Sequence, residues 1–376
     1  MTGLAGTADH PQARMVLTTS LEAGPSHAYL FHGPAGTGKR TAARAFAAEL
    51  LAEGAPDPDD VRRRVDNGSH PDITWVRPTG AHVMRTDDVA EPVIAAATRT
   101  PFEAKRRVFV LERVETMNDE VANRMLKTLE EPAAFVHLLL LTSALGRVLE
   151  TVVSRCQLVR FDPLPPERIA AELEAEGVPV DRAAACGRLA LGNATRARAL
   201  ASEEGAALRA DVHLLVSDAL AGEPDRPDAE EPWRALLARA EERRVVAEEE
   251  LAREAERRLE LEPRGRERRG LERELEEAGK REGRRARTEV LDLGLELAAI
   301  GFRDLACVAE GAQSAVLATD RLDDLARSAR GRDARRLRDA VERCDETRQS
   351  LELNVTEELA LSALTFRLRR LVGAGG

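Results

Sequence analysis

Aromatic residues make up 3% of this chain, too few to build the stacked platforms that commonly grip single-stranded nucleic acid. Lysine is scarce too. Lys39, Lys105, Lys127 and Lys280 are the only four among 56 basic side chains, the rest being arginine. The four cysteines (Cys156, Cys186, Cys307, Cys344) stand far apart with no CxxC pair, so neither a zinc site nor a disulfide framework is indicated, and buried thiols in a reducing cytosol are expected. No apolar run reaches membrane-spanning length, and no basic segment followed by an apolar one opens the chain. A cytoplasmic protein without membrane contact is expected. The net charge of −10 is the wrong sign for gripping DNA unaided. Residues 1–165 carry 19 basic and 21 acidic side chains, so most of the negative excess lies further on, and DNA contact is expected to be shared with partners.

What is present is a phosphate loop. Tyr29–Phe31 reads as a short buried strand, Gly33 to Lys39 fits GxxxxGK, and an alanine-rich helix follows from about Gly38 to Leu51. Gly33, Gly36 and Gly38 let backbone N–H groups curl around phosphate oxygens, the helix start adds positive dipole, and Lys39 reaches the terminal phosphates. The pattern then needs Ser or Thr to ligate Mg²⁺. Here that place is Arg40, which cannot ligate a cation, and Thr41 is turned about 100° away by one helical step. The loop is therefore built to hold ATP better than to hydrolyse it, with Mg²⁺ expected only as it accompanies nucleotide.

At 376 residues two or three domains are expected. Residues 1–28 are expected to form a helix with Ala13, Val16, Leu17 and Leu21 on one face, and Glu53–Gly68 is polar, with Asp57, Asp59 and Asp60 a solvated acidic turn. Short apolar runs at Ile73–Val76, Val108–Leu111, Val136–Leu141 and Gln157–Phe161 read as strands. Between them, Thr86-Asp87-Asp88 is expected to cap one helix, and Thr116-x-x-Asp119 to open another that Pro132 stops. Strands alternating with helices imply a doubly wound parallel sheet with the loop at the carboxyl end of its first strand. After Pro163 strand signals stop. Three or so short helices are expected over 165–203, then a linker at Gly222–Pro232. Glu241–Glu262 and Arg266–Glu289 are dense in Glu and Arg, with a thin stripe (Leu251, Ala255, Leu259, Leu271, Leu275). Pro263 and Gly265 would break them into a solvated hairpin near 241–289. Val290–Val308, Leu337–Leu351 and Leu359–Leu371 complete a helical bundle.

Several signals then occur in one order: the phosphate loop, His70-Pro71-Asp72, the strand Val108–Leu111, Asn123-x-x-Leu126-Lys127-x-Leu129-Glu130-Glu131-Pro132, and Ser154-Arg155-Cys156. Together they resemble the clamp-loader branch of the AAA+ ATPases, well over about residues 25–200 and loosely beyond, through helical character and Leu353-Asn354-Val355. The resemblance implies an AAA+ P-loop domain over 1–163 with helices on both faces of its sheet. It further implies a small helical lid over 164–204 and an all-α collar over 205–376. It also implies a subunit that works with delta and gamma/tau subunits to place a sliding clamp on primed DNA. Arg155 falls at the family's arginine finger, which reaches a neighbour's ATP; Thr142 and Arg196 fall at two sensor positions, with structural roles equally open.

Departures from the family matter as much. Motor subunits follow the second strand of this kind with Asp-Glu, for metal and water; here those places hold Glu112 and Arg113, and Arg113 cannot act as a base. Residues 50–70 hold none of the cysteines of a zinc module that relatives often carry, so no metal is expected there. Two defects beside an intact finger imply the non-hydrolysing member. The competing readings are a motor ATPase in which Glu112 and Thr41 take unusual roles, and another AAA+ machine.

Overall fold

A computed structural model describes residues 4–78, 83–222, 231–260, 266–352 and 355–373. Most of the expected linker (223–230), together with Pro263, Gly265, Leu353 and Asn354, lies outside the described residues, as do the side chains of Leu259 and Leu271. The chain divides into two compact units, 1–165 with 192–194, and 166–191 with 195–376.

The first unit begins with α1 (Pro11–Ala23), whose Ala13 and Leu17 are buried. Then come β1 (Ala28–His32), α2 (Lys39–Ala52), α3 (Pro58–Asp66), β2 (Ile73–Val76), α4 (Thr86–Val89), β3 (Arg107–Glu112), α5 (Asp119–Glu130), β4 (Val136–Thr142), α6 (Glu150–Val153) and β5 (Gln157–Arg160). All five strands pair in parallel in the order β2-β3-β4-β1-β5. β3 and β4 are apolar along nearly their whole length because both faces are covered. Two cores result, one holding Phe31, Phe46 and Val110, the other Leu30, Phe109 and Met125.

Three local expectations are corrected. The acidic turn is a helix, α3: Asp57 caps it by accepting from the Asp60 N–H at 3.1 Å, Pro58 opens it, and Asp59 pairs with Arg62. The helix begun at Thr86 does not continue as α. It widens into a π-turn over Ala90–Ala95, where Pro92 lacks the N–H an α-turn would use, and ends as a 3₁₀ turn at Ala96–Thr98. Asn118, not Thr116, caps α5, accepting from the Val121 N–H at 2.9 Å. The Thr116 hydroxyl instead donates to the Arg113 carbonyl.

His70-Pro71-Asp72 acts as an anchor. The buried Asp72 carboxylate accepts backbone N–H bonds from Phe102, Glu103 and Ala104 at 2.6 to 2.9 Å. Burial opposes its charge, but those donors hold its carboxyl below the usual range.

The second unit is helical among its described residues: α7 (Pro166–Ala175), α8 (Val180–Leu189), α9 (Ala194–Ala201), α10 (Glu203–Ala221), α11 (Pro232–Glu260), α12 (Arg266–Ala309), α13 (Leu322–Ser328), α14 (Ala334–Glu352) and α15 (Glu357–Val372). The charged segment from Arg266 and the apolar segment from Val290 form one helix of 44 residues, about 66 Å long, rather than two. It packs along α11, with Ala247 and Ala286 buried and the charged rows paired, as in Arg244–Glu248 (2.7 Å) and Arg285–Glu289 (2.9 Å). Deeper in the bundle Arg369, nearly inaccessible, binds Asp218 and Glu231 at 2.7 and 2.9 Å. Pairing of this kind is what makes a buried guanidinium tolerable.

Candidate nucleotide site and arginine finger

The loop after β1 takes its shape from its glycines. Gly33, Gly36 and Gly38 have φ of 138°, 70° and 89°, a region other residues seldom enter. Space is also closed to side chains: a Cβ on Gly33 would lie 1.9 Å from the Phe161 carbonyl oxygen, and one on Gly36 would lie 1.6 Å from Asn193 Oδ1. Lys39, the first residue of α2, is buried, and its Nζ donates to the carbonyls of Gly33 and Pro34, both at 2.5 Å. Burial lowers its ammonium to about 8, with the Glu115 carboxylate opposing.

Parallel register brings the strand ends together around this loop. His32 lies beside Thr142, and Glu112 beside Leu141. Thr142 is fully buried, and its hydroxyl accepts from the Ala144 N–H at 3.1 Å. Thr41 is exposed.

The two departures from the phosphate-loop pattern meet. Arg40 Nε lies 3.0 Å from Glu112 Oε1, and the same oxygen accepts from Arg77 Nε at 3.1 Å and from the Trp75 indole N–H at 2.5 Å. The Glu112 side chain is 11% exposed. Glu112 therefore faces two guanidinium groups. Arg113 sits in the left-handed region (φ 55°), and its carbonyl receives both the N–H and the hydroxyl of Thr116.

Sequence reasoning missed four neighbours of the loop. Glu115 acts on Lys39 and accepts from the Ser143 hydroxyl at 2.9 Å. Trp75 and Arg77 complete the shell of Glu112. The segment before α1 lies against the loop, with His10 Nε2 2.7 Å from the Thr37 carbonyl and Gly6 tight against Gly38 and Ala42. Nothing in periodicity marks such contacts. Asn193, in a Gly-Asn-Ala stretch, adds a further neighbour beside Gly36.

Arg155 lies between α6 and β5. Its Nη2 donates to Glu130 Oε1 at 2.5 Å, and its Nη1 to the Thr151 carbonyl at 2.8 Å and to Ser154 Oγ at 3.3 Å. Glu130 is the first glutamate of the Leu-Glu-Glu-Pro stretch, so this stretch and Ser154-Arg155-Cys156 touch. None of these partners belongs to the loop of Gly33–Lys39. The neighbouring Cys156 thiol is pushed up to about 12 by burial, which leaves it inert. In the second unit Arg196 Nη1 binds Glu296 Oε1 at 2.7 Å, both largely buried.

A five-stranded parallel sheet covered by helices, with a glycine loop after its first strand, defines a P-loop domain. Residues 9–165 match the family model described as DNA polymerase III, delta subunit, which coincides with the first unit. The chain is 33% identical over 168 residues to DNA polymerase III subunit delta' of Bacillus subtilis (strain 168), covering 43% of this chain and 50% of that protein. It is 36% identical over 165 residues to the same-named subunit of Pseudomonas aeruginosa, with the same shares. To subunit tau of B. subtilis it is 33% identical over 143 residues, 36% of this chain and 24% of that one. The chain spans about half the length of the delta' relatives it matches. Over this segment the chain is similar to DNA polymerase III delta' subunits. No helix among the described residues is long and apolar enough to cross a membrane.

Proposed function

We propose that this chain is a delta-prime-type clamp-loader subunit that does not hydrolyse ATP itself. It lends Arg155 to the ATP held by a neighbouring subunit, and so assists loading of a sliding clamp onto primed DNA. The observation that carries this reading is the Arg40–Glu112 pair. The side chain that should ligate metal is a cation, and it binds the carboxylate that should face the metal. Arg155, by contrast, is half-exposed and keeps its planar fork of donors. A guanidinium delivered in trans offsets charge on the transferring phosphoryl group, an effect of about 10³–10⁵ in rate in well-studied phosphoryl transfers.

On this reading the first unit is the nucleotide-binding-like module. Residues 164–204 serve as lid, and the helices from 205 onward join delta and gamma/tau subunits in a collar. The test uses the complex reconstituted with its own partner subunits. Arg155→Ala should leave assembly intact and lower DNA- and clamp-stimulated ATP turnover by about tenfold or more; unchanged turnover would refute the finger. One observation favours the motor alternative, namely the Glu115 carboxylate beside Lys39. Turnover by the isolated chain, abolished by Lys39→Ala, would establish that alternative.

A further inference from the structure

Mg²⁺ is the cation a phosphate loop ordinarily brings to its ligand, and the residues present do not fit it. Mg²⁺ demands six oxygens in near-ideal octahedral geometry at about 2.1 Å. Arg40, in the place of the ligating hydroxyl, offers only N–H donors. Glu112, in the place of the second ligand, has an oxygen engaged by Arg40, Arg77 and Trp75 at 3.0, 3.1 and 2.5 Å. Thr41 is exposed, and no cluster of three or more His, Cys, Asp or Glu able to hold a metal occurs among the described residues. Glu115 is the remaining carboxylate near Lys39; its Oε1 accepts from Ser143 and its Oε2 is buried without a hydrogen-bond partner among the described residues, so it offers one oxygen where Mg²⁺ needs six ligands.

What the site holds in place of metal is fixed positive charge. Lys39 begins α2, Arg40 follows it, and Arg77 meets the same carboxylate from β2's side. The Arg40 and Arg77 side chains are 55% and 54% exposed, so charge stands at the mouth and not only in the shell of Glu112. Against these three cations stand Glu112 and Glu115. From this geometry we infer that the loop of Gly33–Lys39 takes the phosphates of a nucleoside di- or triphosphate without a divalent cation, the Arg40 guanidinium standing where the metal would. The inference rests on the family reading for the nucleotide and goes beyond it in removing the metal. It also explains how both departures are tolerated together: Arg40 without Glu112 would be an excess charge beside Lys39, and Glu112 without Arg40 would repel phosphate.

The experiment is equilibrium binding of ATP and of ADP to the full chain, in excess Mg²⁺ and in excess EDTA. Dissociation constants within about threefold of each other in the two buffers are expected. Binding at least tenfold tighter with Mg²⁺ would overturn the inference and point to Glu115 as a metal ligand, which Glu115→Gln would then abolish. Absence of binding in both buffers would overturn it as well. Arg40→Ser should weaken binding in EDTA tenfold or more and make it respond to Mg²⁺. Glu112→Gln, which keeps an acceptor for Trp75, should tighten binding in EDTA severalfold. The outcomes separate from the finger, because Mg²⁺-dependent binding here would leave the effect of Arg155→Ala on the turnover of the complex untouched.

Discussion

Of the glutamates in the first unit that hold arginines, Glu112 and Glu130 hold them differently. Glu112, at the end of β3, is 11% exposed and gathers two guanidinium groups and an indole N–H on one oxygen. Glu130, at the end of α5, is 47% exposed and receives Arg155, itself 34% exposed. The first arrangement is a shell closed around one buried acceptor, whose two arginines also reach solvent. The second is a solvated ion pair, and such pairs are worth about 0–1 kcal/mol because water competes for both partners. The difference separates a carboxylate committed to holding structure from an arginine that can exchange its partner. In the proposed role Arg155 would have to leave Glu130 to reach a neighbour's phosphate, and a weak pair lets it do so.

The largest expected effect is the loss of complex turnover in Arg155→Ala. Arg155→Lys sharpens it. A lysine would keep the charge but not the planar fork, so most of the loss should remain; full recovery would mean that charge alone suffices there. A fourth arginine, Arg106, lets the notion of a closed shell be tested by pH. It reaches Glu53 and also donates to Nε2 of buried His137, whose Nδ1–H faces the Ser26 carbonyl at 2.9 Å. Burial, first, and the Arg106 charge lower the His137 imidazole from 6.5 to about 4, while the Ser26 bond opposes them. Folding thus favours the neutral ring. The stabilisation is complete above about pH 6.5 and is lost as pH falls through about 4. It amounts to at most about 3 kcal/mol. Urea unfolding across that window should show the loss, and His137→Gln, which keeps a donor and an acceptor, should flatten the profile.

Next in size is Glu112→Ala. It strips one acceptor from three donors, of which the Trp75 indole is half-buried, and a loss of about 2 kcal/mol is expected in urea unfolding. Glu112→Gln should lose less, since it can still accept from the indole. A cost near zero for Glu112→Ala would mean that water satisfies those donors and that the shell is not closed.

The positions of all five strands were legible in the sequence, the central ones because parallel strands buried on both faces read as nearly unbroken apolar runs. Val136–Leu141 and Val108–Leu111 are such runs, and the structure extends each by a residue or two. The loop was legible because its glycines and Lys39 answer to one ligand. The shell around Glu112 was not. Trp75 and Arg77 lie 37 and 35 residues from it, and only the parallel pairing of β2 with β3 makes them neighbours. Helix α3 was missed for a different reason. Asp57-Pro58-Asp59-Asp60 carries a cap, a first-turn proline and acidic first-turn residues, yet its acidity alone had suggested an exposed turn. The long helix α12 was divided in two because composition changes at Val290 while backbone preference does not.

The smallest effect bears most directly on the comparison. Glu130→Gln removes the charge that holds Arg155 but leaves an amide oxygen able to accept from it. Because the pair is exposed and single, stability should fall by less than about 1 kcal/mol. In the reconstituted complex Arg155 would then leave its own subunit more readily. Turnover should hold or rise slightly, and its sensitivity to salt should fall, since one screened interaction has been removed. A marked loss of turnover with stability unchanged would show instead that Glu130 is needed to aim the guanidinium, making it a positioning residue rather than a resting place.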